Sequence, residues 1–354
     1  MDNVYWMNFS AKPGASVEDK FNKLLIRAGA GSLAGAGELV AIKVHVGERG
    51  NLGYISHNYA RLAVNALTVC GAKSFLTDTN TLYSGGRHNA IDHCETAAMH
   101  GFSRATTGAP FVVADGLRGL DCENVPVNGR HVKTARLASG ICQADKLVML
   151  SHFKGHAEMG FGGTIKNAGM GCAAVPGKLE MHSASKPLFT EEKCTGCGQC
   201  ARRCPENAIS MKNKKACIEY SLCIGCGQCV AACNFGAMRV KWEEHGETLI
   251  AKVSEYASAL CNRFSGKAVY INIAAGISPD CDCWDYNDRP VSPDAGIFAS
   301  KNPLALDRAT FDMICKTSSK NIFDELHPDA HSEYLFEYCS KLGMSDAYTL
   351  TAIG

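Results

Sequence analysis

The chain has 354 residues, with 36 lysines and arginines against 35 aspartates and glutamates and a formal net charge of +1 at pH 7. So even a balance offers no overall field for nucleic acid or for an anionic membrane, which excludes a general polyanion-binding role. The length allows a large core and about two domains.

The first residues, MDNVYWMNFSAKPG, show no basic start followed by an apolar run, and nowhere do about 18 apolar residues run together. The expectation is a cytoplasmic protein with no membrane and no nucleic-acid partner. Nineteen cysteines, many at metal-ligand spacings, then indicate a reduced compartment and metal chemistry rather than disulfides.

In chain order, 16–28 places Phe21, Leu24 and Leu25 at helical spacing. The glycine-rich GAGSLAGAG at 29–37 precedes the first strand instead of following one, so it reads as a helix end and loop, not as a dinucleotide-binding turn. LVAIKVHV at 39–46 is a predicted strand, and 58–70 a predicted helix. Further strands are predicted at 72–78 (AKSFLTD), 110–115 (PFVVAD), 146–151 (KLVMLS) and 268–274 (AVYINIA). Strands alternating with helical stretches mark an α/β domain with a largely parallel sheet. DAGIFAS resumes the same style late in the chain, so residues 1–186 and 241–354 are expected to form that domain, interrupted at 187–240 by a small α+β ferredoxin-like module.

That module carries the most specific signal. CTGCGQCARRCP places Cys194, Cys197, Cys200 and Cys204 in one run, and CIGCGQCVAACN repeats the spacing at Cys223, Cys226, Cys229 and Cys233. Two-residue gaps with glycines let three cysteines and their turning amides wrap one face of a cubane, while the fourth reaches the other cluster. The expected sets are Cys194, Cys197, Cys200 and Cys233 for one [4Fe-4S] cluster, and Cys223, Cys226, Cys229 and Cys204 for the second. Asn234 stands where proline usually follows. Zinc knuckles also use paired cysteines but rarely supply two such interlocking runs. Over roughly 187–240 the segment resembles bacterial ferredoxins.

In open α/β sheets, ligands bind beyond the carboxyl ends of the strands. Lys43 and His45 end the first predicted strand, Arg87 follows the second, and His152, Lys154 and His156 follow the fourth. A glycine-rich stretch then brings Gly162, Gly163, Thr164, Lys166 and Asn167, which could admit a cofactor phosphate. No P-loop spacing occurs, so a nucleotide-triphosphatase is excluded. If these strand ends converge, the site is cationic and suits a phosphate or carboxylate. Cys281 and Cys283, flanked by Asp280 and Asp282, are candidates for a third metal site or a redox-active thiol.

The segments AIKVHVGERGN, FLTDTNTLYSGGRHNA, ADGL, SHFKGHAEMGFGGTIKNAGMGC with GKLEMHS, the cysteine runs, SPDCDCW and DAGIFASKNPLALD occur in this order in the family named domain of unknown function 362, also labelled "Fe-S center protein". The chain resembles that family over nearly its whole length. The resemblance implies a ferredoxin module inside an α/β domain, and that the HFKGH, CDC, Asp294 and Asp307 segments belong to one site.

The favoured expectation is an oxidoreductase. Its clusters relay electrons to a redox cofactor, FMN or another flavin, or to a small anionic substrate. The flavin phosphate would lie on Gly162, Gly163, Thr164 and Lys166, with Lys43, His45, Arg87 and Asn167 nearby. His152, Lys154 and His156 would move protons or neutralise charge. The expected partner is a low-potential donor or acceptor such as a ferredoxin, and one expected assembly is a homodimer. The alternatives are a non-catalytic electron carrier or metallocofactor assembly protein with a metal at Cys281 and Cys283, and a plain binding protein with structural clusters.

Overall fold

The computed structural model describes residues 1–83, 85–182, 186–223, 225, 227–240 and 246–354. The largest sheet draws on strands β1 (Asp2–Met7), β2 (Leu39–Lys43), β3 (Lys73–Asp78), β4 (Phe111–Val113), β5 (Lys146–His152), β6 (Ala268–Ala274), β7 (Gly296–Ser300) and β8 (Tyr348–Ala352). Their order across the sheet is β8-β1-β7-β6-β5-β2-β3-β4. Pairing is parallel throughout β6-β5-β2-β3-β4 and again for β8-β1, and antiparallel where β7 meets β6 and β1. The fold is thus α/β with a mostly parallel sheet.

Alternation along the strands makes three layers. Val40, Ile42, Val148, Leu150, Val269 and Ile271 pack with helices α1 (Val17–Ala28) and α2 (His57–Val69) on one face. Ala41, Leu147, Met149 and Tyr270 face the other layer. That layer contains α4 (Thr164–Gly169), α6 (Gly246–Arg263) and α7 (Pro303–Ser318), where α3 (Ala90–Met99) and α5 (Val175–His182) complete the helices used below. Strands buried on both faces are expected of parallel sheets. Helix α1 forms where its sequence says it should: the Ser16 hydroxyl accepts from the Asp19 amide at 3.1 Å, the Asp19 carboxylate accepts from the Ser16 amide at 3.0 Å, and Gly29 ends the helix with φ 89°.

Because β2, β3, β5 and β6 run parallel and in register, their carboxyl ends share one edge: Lys43 lies beside Thr77 and Met149, and His152 beside Ile273. β2 is shorter than the predicted 39–46, since the chain leaves the sheet before Gly47, which takes φ 81°. β4 is a three-residue edge strand, not the predicted six.

Between 187 and 240 the chain forms two small antiparallel pairs, Leu188–Phe189 with Met238–Arg239 and Ile209–Lys212 with Lys215–Ile218, and two short helices, Gln199–Arg202 and Gln228–Ala231. Each short helix follows a left-handed glycine, Gly198 or Gly227, so the sequence repeat is also a backbone repeat. The segment packs on the large domain: Leu82, Val175 and Leu179 share one apolar cluster with Cys200, Cys229 and Cys233. Gly227 lies so close to α5 that an added Cβ would stand 2.8 Å from Leu179. Arg118 also donates to the Asn234 side chain at 2.9 Å, so the residue standing in place of the usual proline takes part in the docking.

Candidate functional site

A cavity of about 690 Å³ opens at the carboxyl edge of the sheet. The strand-end residues His45, Arg87, His152, Lys154 and His156 line it, with Gly162, Gly163, Lys166 and Asn167 from the stretch after β5 and Cys281 and Cys283 from the loop after β6. Lys43 and Thr164 do not line it. Lys43 lies beneath, fully buried, with its ammonium 2.9 Å from Asp78 and donating to Asn167 at 2.7 Å. Thr164 is buried and donates its hydroxyl to Asn272 at 2.8 Å. Asn167 in turn donates to the Leu150 carbonyl and the Ser151 hydroxyl. These three side chains brace the floor of the site.

Two buried ion-pair hubs make up the wall. In the first, Arg87 donates to Glu48 at 3.2 Å and to the Tyr83 hydroxyl at 2.5 Å, with Asp78 3.6 Å away. His45 has the Gly47 amide 3.1 Å from Nδ1 and the Arg87 guanidinium 3.2 Å from Nε2, of which a neutral ring accepts from one. Burial and the Arg87 charge hold its pKa well below the ordinary histidine range, so the ring stays neutral.

Asp282 is the centre of the second hub. Its carboxylate meets His152 Nδ1 and Lys154 Nζ, each at 3.0 Å, while His152 Nε2 faces the Ala275 carbonyl at 2.9 Å. With both ring nitrogens engaged, His152 is fixed and not free to swing into the cavity. Burial opposes ionisation of Asp282, but His152 and Lys154 outweigh it and hold the carboxyl far below its usual range. For Lys154, burial pulls down and Asp282 with Cys281 more than restores it, so the ammonium is strengthened. His156 differs: burial and the neighbouring charge of Lys166 drive it well below the ordinary range, leaving a neutral imidazole whose Nδ1 accepts from the Glu158 amide at 3.2 Å.

The amides that sequence reasoning offers to a cofactor phosphate are already held by an anion of the protein itself. At the start of α4, Thr164 and Ile165 each donate to the Asp307 carboxylate at 2.8 Å, and Asn272 donates to it at 2.7 Å. Gly163 lacks a side chain for the same reason, since an added Cβ would lie 2.6 Å from Asp307 and 2.8 Å from Phe153. Asp307 is therefore a cap of α4 from α7 and does not line the cavity, and Asp294 accepts from the Gly276 amide at 2.8 Å. A bound anion has to use Lys166 and the cavity wall instead.

Sequence reasoning passed over Lys178, which lines the cavity from α5 and donates to the Thr79 hydroxyl at 2.6 Å and to the Asn80 carbonyl. Burial lowers its pKa despite Asp115, and burial raises that of Asp115 despite Lys178. Both groups are thus drawn toward neutrality, and of the two it is Lys178 that lines the cavity. Only the short motif GKLEMHS pointed here.

Lys166 Nζ lies 3.1 Å from Cys281 Sγ. The hydrogen bond from the Cys283 thiol, aided by Lys166 and Lys154, holds Cys281 well below the ordinary thiol range against its burial, and the same contact pushes Cys283 up. Ammonium groups beside the sulfur suit a thiolate and an anionic ligand, not a metal cation. Among the described residues, no three His, Cys, Asp or Glu side chains gather as on a single metal ion.

Some of the cysteines of the two runs lie near one another among the described residues. The Cys200 thiol is raised by burial and then by Cys233, Cys194 and Cys197 around it. A second, small cavity is lined by Cys204 together with Cys223 and Cys229. Cys226 lies outside the described residues. The Ala208 amide points at Cys204 Sγ at 3.2 Å, and those of Ala237 and Met238 at Cys233 Sγ at 3.3 and 3.5 Å. Amides aimed at ligand sulfurs and left-handed Gly196, Gly198, Gly225 and Gly227 make an environment that fits iron–sulfur clusters.

Among proteins similar to this chain, the "Ferredoxin-type protein NapF" of Haemophilus influenzae is 43% identical over 42 residues, which is 12% of this chain and 24% of that protein. The apoprotein of lactate racemase from Thermoanaerobacterium thermosaccharolyticum aligns with 77% of this chain and 50% of its own at 11% identity and a TM-score of 0.37. A structural-genomics protein from Thermotoga maritima covers 72% of this chain and 49% of its own at 10% identity and a TM-score of 0.39. The chain thus spans about a quarter of the length of the curated relative and about half that of the two solved structures. No helix among the described residues is long and apolar enough to cross a membrane. The profile of the family described as Domain of unknown function (DUF362) matches residues 40–312, well over half of the chain, and the chain belongs to that family.

Proposed function

We propose that this is an iron–sulfur oxidoreductase whose cavity binds a small anionic molecule and exchanges electrons with it. One cluster would be held by Cys194, Cys197, Cys200 and Cys233, the other by Cys223, Cys226, Cys229 and Cys204. When bound, each cluster supplies one electron at a time. The observation that carries this reading is the packing of Leu82 and Leu179. Leu82 lines the cavity, Leu179 follows the cavity residue Lys178, and both belong to the apolar cluster that contains Cys200, Cys229 and Cys233. Residues of the cavity wall thus pack in the same apolar cluster as cysteines of the module, which supports electron exchange between the two.

In the cavity, the chain's own groups divide the work. Lys166 offers positive charge to the anion. Lys178, which lines the cavity, supplies a proton as electrons arrive, and the hubs at Arg87 and Asp282 hold the wall in place. A flavin such as FMN would pair electrons well, but its phosphate would have to lie on Lys166, because Asp307 occupies the α4 amides. A low-potential carrier such as a ferredoxin is the proposed electron partner. A metal at Cys281 and Cys283 is less well supported, given the ammonium groups beside Cys281.

Acid denaturation of protein purified without oxygen, followed by mass spectrometry of the released molecules, tests the reading. We expect one anionic molecule in stoichiometric amount, lost from Lys166→Ala while the cluster absorbance persists. Release of no such molecule, or its full retention by Lys166→Ala, contradicts the cavity as an anion site.

A further inference from the structure

The CDC turn is part of the cavity wall to which electron relay gives no role. Cys281 is 1% exposed and Cys283 half-buried, and both line the cavity. The turn is closed by the Trp284 amide, which donates to the Cys281 carbonyl at 3.1 Å. It is clamped from two sides. The Asp282 carboxylate is held by His152 and Lys154, and its carbonyl accepts from the Glu48 amide at 2.9 Å. Asn51 donates to the carbonyls of Trp284 and Tyr286 at 3.2 and 2.7 Å. The residue between the thiols is thereby pinned, and the two cysteines, one residue apart, line the same cavity with Lys166 Nζ 3.1 Å from the first sulfur.

We propose that Cys281 and Cys283 form a dithiol–disulfide redox centre, the two-electron station of the cavity, able to exchange with compounds of the dithiol and disulfide class. Oxidation joins the two Sγ atoms, removing two electrons from the pair and one proton from Cys283. An external disulfide takes the electrons as its own S–S bond opens, leaving one thiol and one thiolate that is protonated from the buffer. Within the chain, the acceptors are the two one-electron clusters, a coupling that rests on the function proposed above. Such a pair would join one-electron carriers to two-electron chemistry without an organic cofactor.

With Lys166 Nζ 3.1 Å from Cys281 Sγ, that sulfur is favoured as the thiolate, so the proposed oxidation releases one proton, from Cys283. The groups facing Cys281 are the Cys283 thiol, Lys166 on α4 and Lys154 on the strand after β5, all favouring the anion, with Asp282 in its own turn opposing. An ordinary dithiol loses two protons with its two electrons. The potential of this pair should thus fall with pH half as steeply.

The test equilibrates the holoprotein without oxygen in mixtures of oxidised and reduced dithiothreitol across neutral pH, quenches with acid, alkylates, and maps the peptides by mass. We expect a reversible Cys281–Cys283 disulfide with the shallow, one-proton slope, and a steeper slope in Lys166→Gln. Full alkylation of both cysteines at every ratio, or a two-proton slope in the native chain, overturns the proposal. Bleaching of the cluster absorbance by dithionite is read in the same samples. Normal bleaching with no disulfide refutes the redox centre alone, whereas a disulfide in a chain with no cluster absorbance refutes the electron relay alone.

Discussion

Cys204→Ala is expected to lower the iron content by about half, and the iron lost should belong to the second cysteine run, not to the run in which Cys204 lies. Cys204 shares its small cavity with Cys223 and Cys229 of the other run, whereas the Cys200 thiol is raised by burial and also by Cys233 of the other run. Groups that act as one unit are non-additive when removed together. Iron analysis of double variants therefore decides the matter. Cys204→Ala with Cys223→Ala should lose no more iron than either change alone, while Cys204→Ala with Cys200→Ala should leave almost none. The reverse pattern would show that each run holds its own cluster.

The second large effect is expected at Asp282. Its carboxylate neutralises the buried Lys154 ammonium and holds His152 Nδ1, each at 3.0 Å, and its side chain is almost fully inaccessible. Asp282→Ala leaves Lys154 and His152 without their counter-ion in a cavity already rich in cations. Breaking one partner out of a buried pair costs about 3–5 kcal/mol, to be read as a shift of the denaturant midpoint. The pH dependence has a definite sign. The folded carboxyl titrates far below an unfolded aspartate, which titrates at about 3.9, so its stabilisation is complete above that pH and is lost as pH falls further. The gap between native and variant chains should therefore narrow in acid. A loss under about 1 kcal/mol at neutral pH, within the range of an exposed ion pair, would mean that the hub is not the brace described above.

Much of this was legible in the residues. AVYINIA is the strand Ala268–Ala274 without a residue's error: the run is apolar enough to be buried on both faces, and its polar Asn272 is satisfied by Asp307 and Thr310. The repeated cysteine spacing reappears as a backbone repeat, each short helix following a left-handed glycine. Strands β1 and β8 escaped notice because they lie toward the far end of the sheet and owe their pairing to each other and to β7, partners hundreds of residues apart. The phosphate cradle failed for a comparable reason. The glycines and threonine before α4 look available until Asp307, from a helix more than a hundred residues later, is seen to occupy their amides. Lys178 gave no periodic signal, since α5 opens with Val-Pro-Gly and is buried nearly all round. Asp282 was visible only as a neighbour of two cysteines, and its role depends on His152 and Lys154 meeting it across the sheet edge.

If the cavity and one of the clusters act on each other, a charge removed from the cavity wall must register in that cluster's potential. Lys178→Met removes a buried cation next to Leu179, which packs against Gly227 of the second cysteine run. Measured on the acid side of neutrality, where the Lys178 amine keeps its proton, the reduction potentials of the two clusters should respond differently. The potential of the cluster on Cys204, Cys223, Cys226 and Cys229 should fall, because an added electron loses a nearby positive charge, while the other stays in place. Two unchanged potentials would contradict the account and separate the cysteine module from the chemistry of the cavity.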